Sequence, residues 1–183
     1  MTIAAVYAGT FDPVTLGHAD IARRAARAFG ALVVLVIPNG NKQPLFSPAE
    51  RVALLKETFK DEPLIRVEQA EGLLADYLKK NNLHILVRGV RGAADMEHEL
   101  TNAYYNKLFC PGAETVFFPA RPEYAFLSSS AVREAAGYGG DISSLASVPP
   151  RIGSTRGGTP LSCIALSTMS MTCMLGSIFS FIL

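Results

Sequence analysis

Residues 3–18 read Ile3-Ala4-Ala5-Val6-Tyr7-Ala8-Gly9-Thr10-Phe11-Asp12-Pro13-Val14-Thr15-Leu16-Gly17-His18. The first five are apolar on both sides of the chain, as a strand buried on both faces requires. Gly9 then permits an unusual backbone turn, and Asp12-Pro13 is a second turn signal. Thr15 is placed to cap a helix whose first turn holds Gly17 and His18. A strand, a glycine turn and a capped helix in that order form the opening unit of an α/β domain. The helix N-terminus, with unpaired N–H groups and its dipole, favours an anion.

Outward from this unit the alternation continues. Strands are expected over residues 3–7, 32–37, 64–67, 85–87 and 115–118. Helices are expected over 17–29, 48–59, 73–80, 93–108 and 130–136. Ser47-Pro48-Ala49-Glu50 is a helix start with a cap, a proline at the first helical position and a glutamate to close a capping box. Doubly apolar strands alternating with helices predict a Rossmann-like, doubly wound parallel sheet of about five strands, covered on both faces. Ligands of such sheets bind beyond the carboxyl ends of the strands. The strand exits at Gly9, Pro38, Arg88 and Pro119 are therefore where a site is expected.

The chain has 183 residues and a formal net charge of +1. That length suits one α/β domain, and the charge argues against nucleic acid or an anionic membrane as a bulk partner. Cys110, Cys163 and Cys173 lack metal-ligand spacing, and an odd count without a secretion signal fits a reducing cytosol. Residues 151–183 differ in character. No charge follows Arg156, and residues 161–183 are uncharged throughout, long enough to span a bilayer. A membrane anchor, a docked helix and an appended terminus with no native role are the three readings, the last being preferred. The domain is set at 1–150 and the tail at 151–183.

Three further elements can face phosphate. Arg88-Gly89-Val90-Arg91 offers two guanidinium forks at a strand exit, though two arginines can equally be surface residues. Asp95 and Glu99 follow at i and i+4 on one helix face, suited to ribose hydroxyls or an adenine amine, or to ion pairs with Arg91 or Lys107. Leu127-Ser128-Ser129-Ser130-Ala131-Val132-Arg133 brings hydroxyls and free N–H groups to a helix start, as an anion cradle or a simple cap. Lys42 lies in the polar loop after the second strand. Leu73 and Leu74 read as core residues opening a helix. None of these segments contains a protein nucleophile poised beside a base.

Together, Gly9-Thr10-Phe11-Asp12-Pro13 with Gly17-His18, Arg88-Gly89-Val90-Arg91 and the 127–133 segment resemble the nucleotidyltransferase superfamily, and the phosphopantetheine adenylyltransferase family in particular. The resemblance covers residues 3–150, including Gly139-Gly140-Asp141 and Val148-Pro149-Pro150. It implies transfer of AMP from ATP to 4′-phosphopantetheine by direct attack, without a covalent intermediate. It implies catalytic roles for Thr10, His18, Lys42 and Arg91. It places ATP against Thr10, Phe11, Gly17, His18, Gly89, Val90, Arg91, Glu99, Tyr124, Ala125, Phe126, Leu127, Ser128, Ser129 and Ser130. Phosphopantetheine would meet Thr10, Lys42, Leu74 and Arg88. The resemblance further implies Mg²⁺ with no dedicated protein ligands, a homohexamer, coenzyme A as a feedback ligand and a cytoplasmic location. His98 and Asn102 depart from the family pattern and concern the shape of the pocket. The competing readings are a nicotinamide-mononucleotide adenylyltransferase, a cytidylyltransferase, or a nucleotide-binding module without catalysis.

Overall fold

A computed structural model of the chain describes residues 3–38 and 44–147. Five strands, β1 (Ile3–Gly9), β2 (Gly30–Val36), β3 (Ile65–Gln69), β4 (Ile85–Val90) and β5 (Glu114–Pro119), form one sheet in the order β3-β2-β1-β4-β5. Every pairing is parallel. The helices are α1 (Leu16–Phe29), α2 (Pro48–Thr58), α3 (Leu74–Lys80), α4 (Ala93–Phe109) and α5 (Ser129–Gly137). A short 3-10 turn, Pro122–Tyr124, precedes α5.

Side-chain alternation along β1 and β2 explains the two layers. Ala5, Tyr7, Leu32, Val34 and Val36 face α1 and α2, meeting Ala19, Ile21, Ala22, Ala25, Leu55 and Phe59. Val6, Ala8, Val33 and Leu35 face the opposite side and meet Ala75 and Leu78 of α3, with Cys110 just after α4. A third, smaller cluster of Val132, Ala136, Ile142 and Ala146 packs α5 against the segment that follows it. Helix α4 buries none of its side chains. Leu100, Tyr104, Tyr105, Leu108 and Phe109 are all exposed.

Sheet order reverses direction between β1 and β4, so the crevice beyond their carboxyl ends is a topological switch point. The expected capping box forms at α2, Ser47 with Glu50, and Thr15, expected as a cap, also closes a box with His18 at α1. Three expectations are corrected. β4 runs three residues past the expected end, so Arg88, Gly89 and Val90 sit inside the ladder opposite Phe117, Phe118 and Pro119. Helix α3 begins at Leu74, and Leu73 precedes it with its side chain exposed instead of buried. Left-handed backbone in the first turn falls on Phe11 (φ 47°), while Gly9 is the last residue of β1. Glycine is needed at position 9 for another reason. A Cβ there would stand 3.1 Å from Phe11 Cζ, so the missing side chain leaves room for the ring.

Lys42 and the tail from residue 148 lie outside the described residues. Among those described, no helix is long and apolar enough to cross a membrane.

Candidate functional site

His18 is held by its own helix start. Thr15 N–H donates to His18 Nδ1 at 3.1 Å, and His18 N–H donates to Thr15 Oγ1 at 3.3 Å. A backbone N–H can only donate, so Nδ1 is the acceptor and the neutral ring carries its proton on Nε2. The ring packs edge-on against Phe11, centroids 5.2 Å apart, with the Tyr7 ring 6.4 Å away. The capping box thus fixes both tautomer and ring plane. It leaves Nε2–H as a fixed donor.

Burial, reinforced by the charges of Arg91 and Arg88, pushes the His18 pKa down to about 4 from the usual 6.5. His18 is therefore neutral across the physiological range. In NMR titration of the free protein, its ring resonances should move near pH 4 and stay still between pH 6 and 8; movement centred near 6.5 would contradict this environment. Because the folded pKa lies below the unfolded one, the native state binds fewer protons in between. Stability from this group is complete above about pH 6.5 and falls as the pH drops toward 4, by at most about 3 kcal/mol.

The arginines of β4 are engaged. Arg88 grips Glu99 with both forks, Nε to Oε2 at 2.5 Å and Nη2 to Oε1 at 2.6 Å, and donates from Nη1 to the Ala8 carbonyl at 2.7 Å. Burial works against its charge, but the Glu99 hydrogen bonds and charge outweigh it, and its pKa is raised. Arg91 is bidentate on Asp95, Nε to Oδ2 at 2.6 Å and Nη2 to Oδ1 at 2.9 Å. These hydrogen bonds hold the Asp95 carboxyl below the usual range. Of the two ion-pair partners named for the acidic residues, Arg91 takes Asp95. Glu99 pairs with Arg88, and Lys107 pairs with Glu114. Among the described residues, each guanidinium has N–H groups left over for a further anion, since five are available. Burial foremost raises the Tyr7 hydroxyl pKa, so the phenol is neutral.

The serine segment is stitched to the first turn. Ser128 caps α5, accepting from Ala131 N–H at 3.0 Å. Ser129 Oγ donates to the Pro13 carbonyl at 2.8 Å, and Arg133 donates from Nη1 to the Asp12 carbonyl and from Nη2 to Ser130 Oγ. Gly17 sits under Tyr124, where a Cβ would stand 3.4 Å from Tyr124 Cβ. Gly89 is more tightly covered, a Cβ there standing 2.4 Å from Ile21 Cδ1. Thr10 and Ser130 are exposed, and Phe126 projects almost wholly into solvent. Ala125 and Leu127 are half-buried in the same stretch. Leu74 stands apart, packed against the α3 side of the sheet.

The residues that sequence reading missed lie behind the site. Asp12 is nearly enclosed and accepts from Leu45 N–H at 3.0 Å and Phe46 N–H at 2.9 Å, as well as from Arg133. Arg51 is enclosed and reaches the Thr10 carbonyl. Asp12 beside Pro13 reads as a turn residue, and Arg51 as an ordinary helix arginine, so neither signals a long-range partner. Among the described residues no group of three or more His, Cys, Asp or Glu side chains is placed to hold a metal ion.

A neutral histidine opening α1 with the charges of Arg88 and Arg91 beside it, on a five-stranded parallel sheet, is consistent with a nucleotidyltransferase. The description of a cytidylyltransferase-like family matches residues 6–135, and the chain belongs to that family. A solved structure of Plasmodium falciparum nicotinic acid mononucleotide adenylyltransferase complexed with NaAD shares the fold at 14% identity, with TM-score 0.56 over 78% of this chain and 87% of that one. More specifically, the chain is one of the phosphopantetheine adenylyltransferases. It is 48% identical over 143 residues to that protein of Dictyoglomus thermophilum, spanning 78% of this chain and 87% of the relative. It is 46% identical over 141 residues to that of Carboxydothermus hydrogenoformans, spanning 77% and 87%. It is 45% identical over 141 residues to that of Cupriavidus taiwanensis, spanning 77% and 88%.

Proposed function

We propose that the chain transfers the AMP part of ATP to the phosphate of 4′-phosphopantetheine, giving dephospho-coenzyme A and pyrophosphate. The observation that carries this is the tautomer-locked His18 beside the β4 arginines, in a chain nearly half identical to phosphopantetheine adenylyltransferases. The reaction needs positioned donors and positive charge more than a protein nucleophile. A phosphopantetheine phosphate oxygen attacks the α-phosphorus in line, and the bond to the bridging oxygen of pyrophosphate breaks. Thr10 positions the attacking phosphate. His18 Nε2–H donates to an equatorial oxygen of the five-coordinate phosphorus, where charge develops. Lys42 and Arg88 hold the phosphopantetheine phosphate. Arg91 and Ser128, Ser129 and Ser130 hold the β- and γ-phosphates.

Gly17 opens α1, where phosphate can approach the backbone. The resemblance assigns Gly89, Val90, Phe11, Glu99 and residues 124–127 to the rest of the nucleotide, and Leu74 to the pantetheine arm. Asp95 and Glu99 are both engaged by arginine. A divalent cation such as Mg²⁺ would accompany the triphosphate and offset its charge there. Residues 1–150 act as the nucleotidyltransferase domain, in the cytoplasm, with 151–183 outside the family pattern. The uncovered apolar side chains of α4 support a homo-oligomer, read as a hexamer, and coenzyme A is the expected feedback ligand.

The test is pyrophosphate release from ATP with phosphopantetheine, compared with nicotinamide mononucleotide, and from CTP with an alcohol phosphate. Preference for either alternative acceptor, or ATP binding with no turnover on any, would overturn the proposal. Lys42→Ala is expected to raise the KM for phosphopantetheine at least about tenfold, the size of one charge-assisted contact, with a smaller effect on ATP. An unchanged KM would remove Lys42 from the site.

A further inference from the structure

Arg51 is 2% exposed, the largest fully enclosed side chain among the described residues. It projects from the start of α2 to the carboxyl end of β1. Nη1 donates to the Thr10 carbonyl at 2.9 Å, and Nε reaches the Ser47 carbonyl at 3.4 Å. Arg23, Arg24, Arg66, Arg88, Arg91, Arg121 and Arg133 each have a carboxylate within ion-pair distance. No such pair forms at Arg51 among the described residues.

An enclosed guanidinium is costly to keep without a counter-charge. Two carbonyls satisfy two of its five N–H groups and neutralise nothing. If Arg51 served packing alone, an apolar side chain of similar volume would serve as well or better. Arg88, Arg91 and Arg133 have their charge offset by Glu99, Asp95 and Asp12. Arg51 therefore leaves a net positive charge directly beneath the exposed Thr10 turn.

We infer that Arg51 is a positioning residue, which holds the Thr10 main chain from below and whose uncompensated charge is balanced by the phosphate groups that arrive above it. The inference rests on the proposed placement of phosphate at Thr10. It adds a residue from α2, outside every motif of the site, to the field that recognises the anion. The fork matters as well as the charge, because Nη1 and Nε bridge two carbonyls from different segments.

The test uses ATP binding by calorimetry, with kcat and KM, on full-length wild type, Arg51→Met and Arg51→Lys, because ATP brings its α-phosphate to the Thr10 turn. Arg51→Met is expected to weaken ATP about tenfold or more and to lower kcat, while melting close to wild type. Arg51→Lys should recover ATP affinity to within about threefold, since the charge returns, with kcat still reduced because the fork does not. Wild-type affinity in a folded Arg51→Met would overturn the inference, as would loss of affinity that Arg51→Lys leaves unrepaired.

Should Arg51→Met not fold, the wild-type Arg51 Nε–H resonance answers the same question. It should shift on adding ATP, and a stationary signal while His18 moves would overturn the inference. A wild type inactive toward phosphopantetheine would sink the functional reading, while the ATP comparison would still decide Arg51.

Discussion

Replacing His18 with alanine is expected to lower kcat by about 10²–10³, with the KM for ATP changed only a few-fold. The ring donates from Nε2 toward charge that appears fully only at the five-coordinate phosphorus, so its loss is felt in the transition state. Stability provides a control. His18 is also the reciprocal partner in the Thr15 capping box, so the variant should lose about 1 kcal/mol of folding free energy. That is far too little to empty the folded state at assay temperature. Steady-state kinetics alongside a melting curve separate the two effects. Wild-type turnover in the alanine variant would refute the role of His18.

Asp12→Ala is expected to cost about 3–5 kcal/mol of stability, the range for removing one partner of an enclosed charge pair. The carboxylate serves two backbone N–H groups, from Leu45 and Phe46, and the Arg133 guanidinium. Alanine would strand all three in a site that Asp12 nearly fills. Asp12→Asn keeps one acceptor oxygen and should cost about 1–2 kcal/mol. Urea unfolding measures both, as a drop in midpoint with an unchanged slope. A midpoint for Asp12→Ala equal to wild type would show that the three-way junction contributes nothing to folding. The junction also joins the first turn, the approach to α2 and α5, so activity should fall with stability.

Much of the fold was legible because it rests on local patterning. Doubly apolar runs such as 32–36 can only be strands sandwiched between helices. Thr15 and Ser47 announce their helices through hydroxyls placed to accept from the third helical N–H. The length of β4 was not legible. Arg88 looks like the end of an apolar run, yet the ladder to β5 continues because backbone hydrogen bonds are indifferent to the side chain. The position of the left-handed backbone in the first turn was not legible either. Glycine is the usual residue for left-handed backbone, but here the tertiary setting imposes it on Phe11 and uses Gly9 to clear space for the ring.

The site divides along the same line. Sequence alone determined which chemical groups are present and which element carries each: His18 in a helix's first turn, paired arginines at the carboxyl end of the fourth apolar run, serines opening α5. That follows from periodicity and capping, which act within a few residues. Only the tertiary structure decided how those groups are occupied. Glu99 takes Arg88, Asp95 takes Arg91, Arg133 reaches Asp12, and Arg51 stands beneath Thr10 with carbonyls for company. Pairings between residues as much as 121 positions apart depend on strand order and on the few ångströms over which charge and hydrogen bonds act, and no local pattern encodes them.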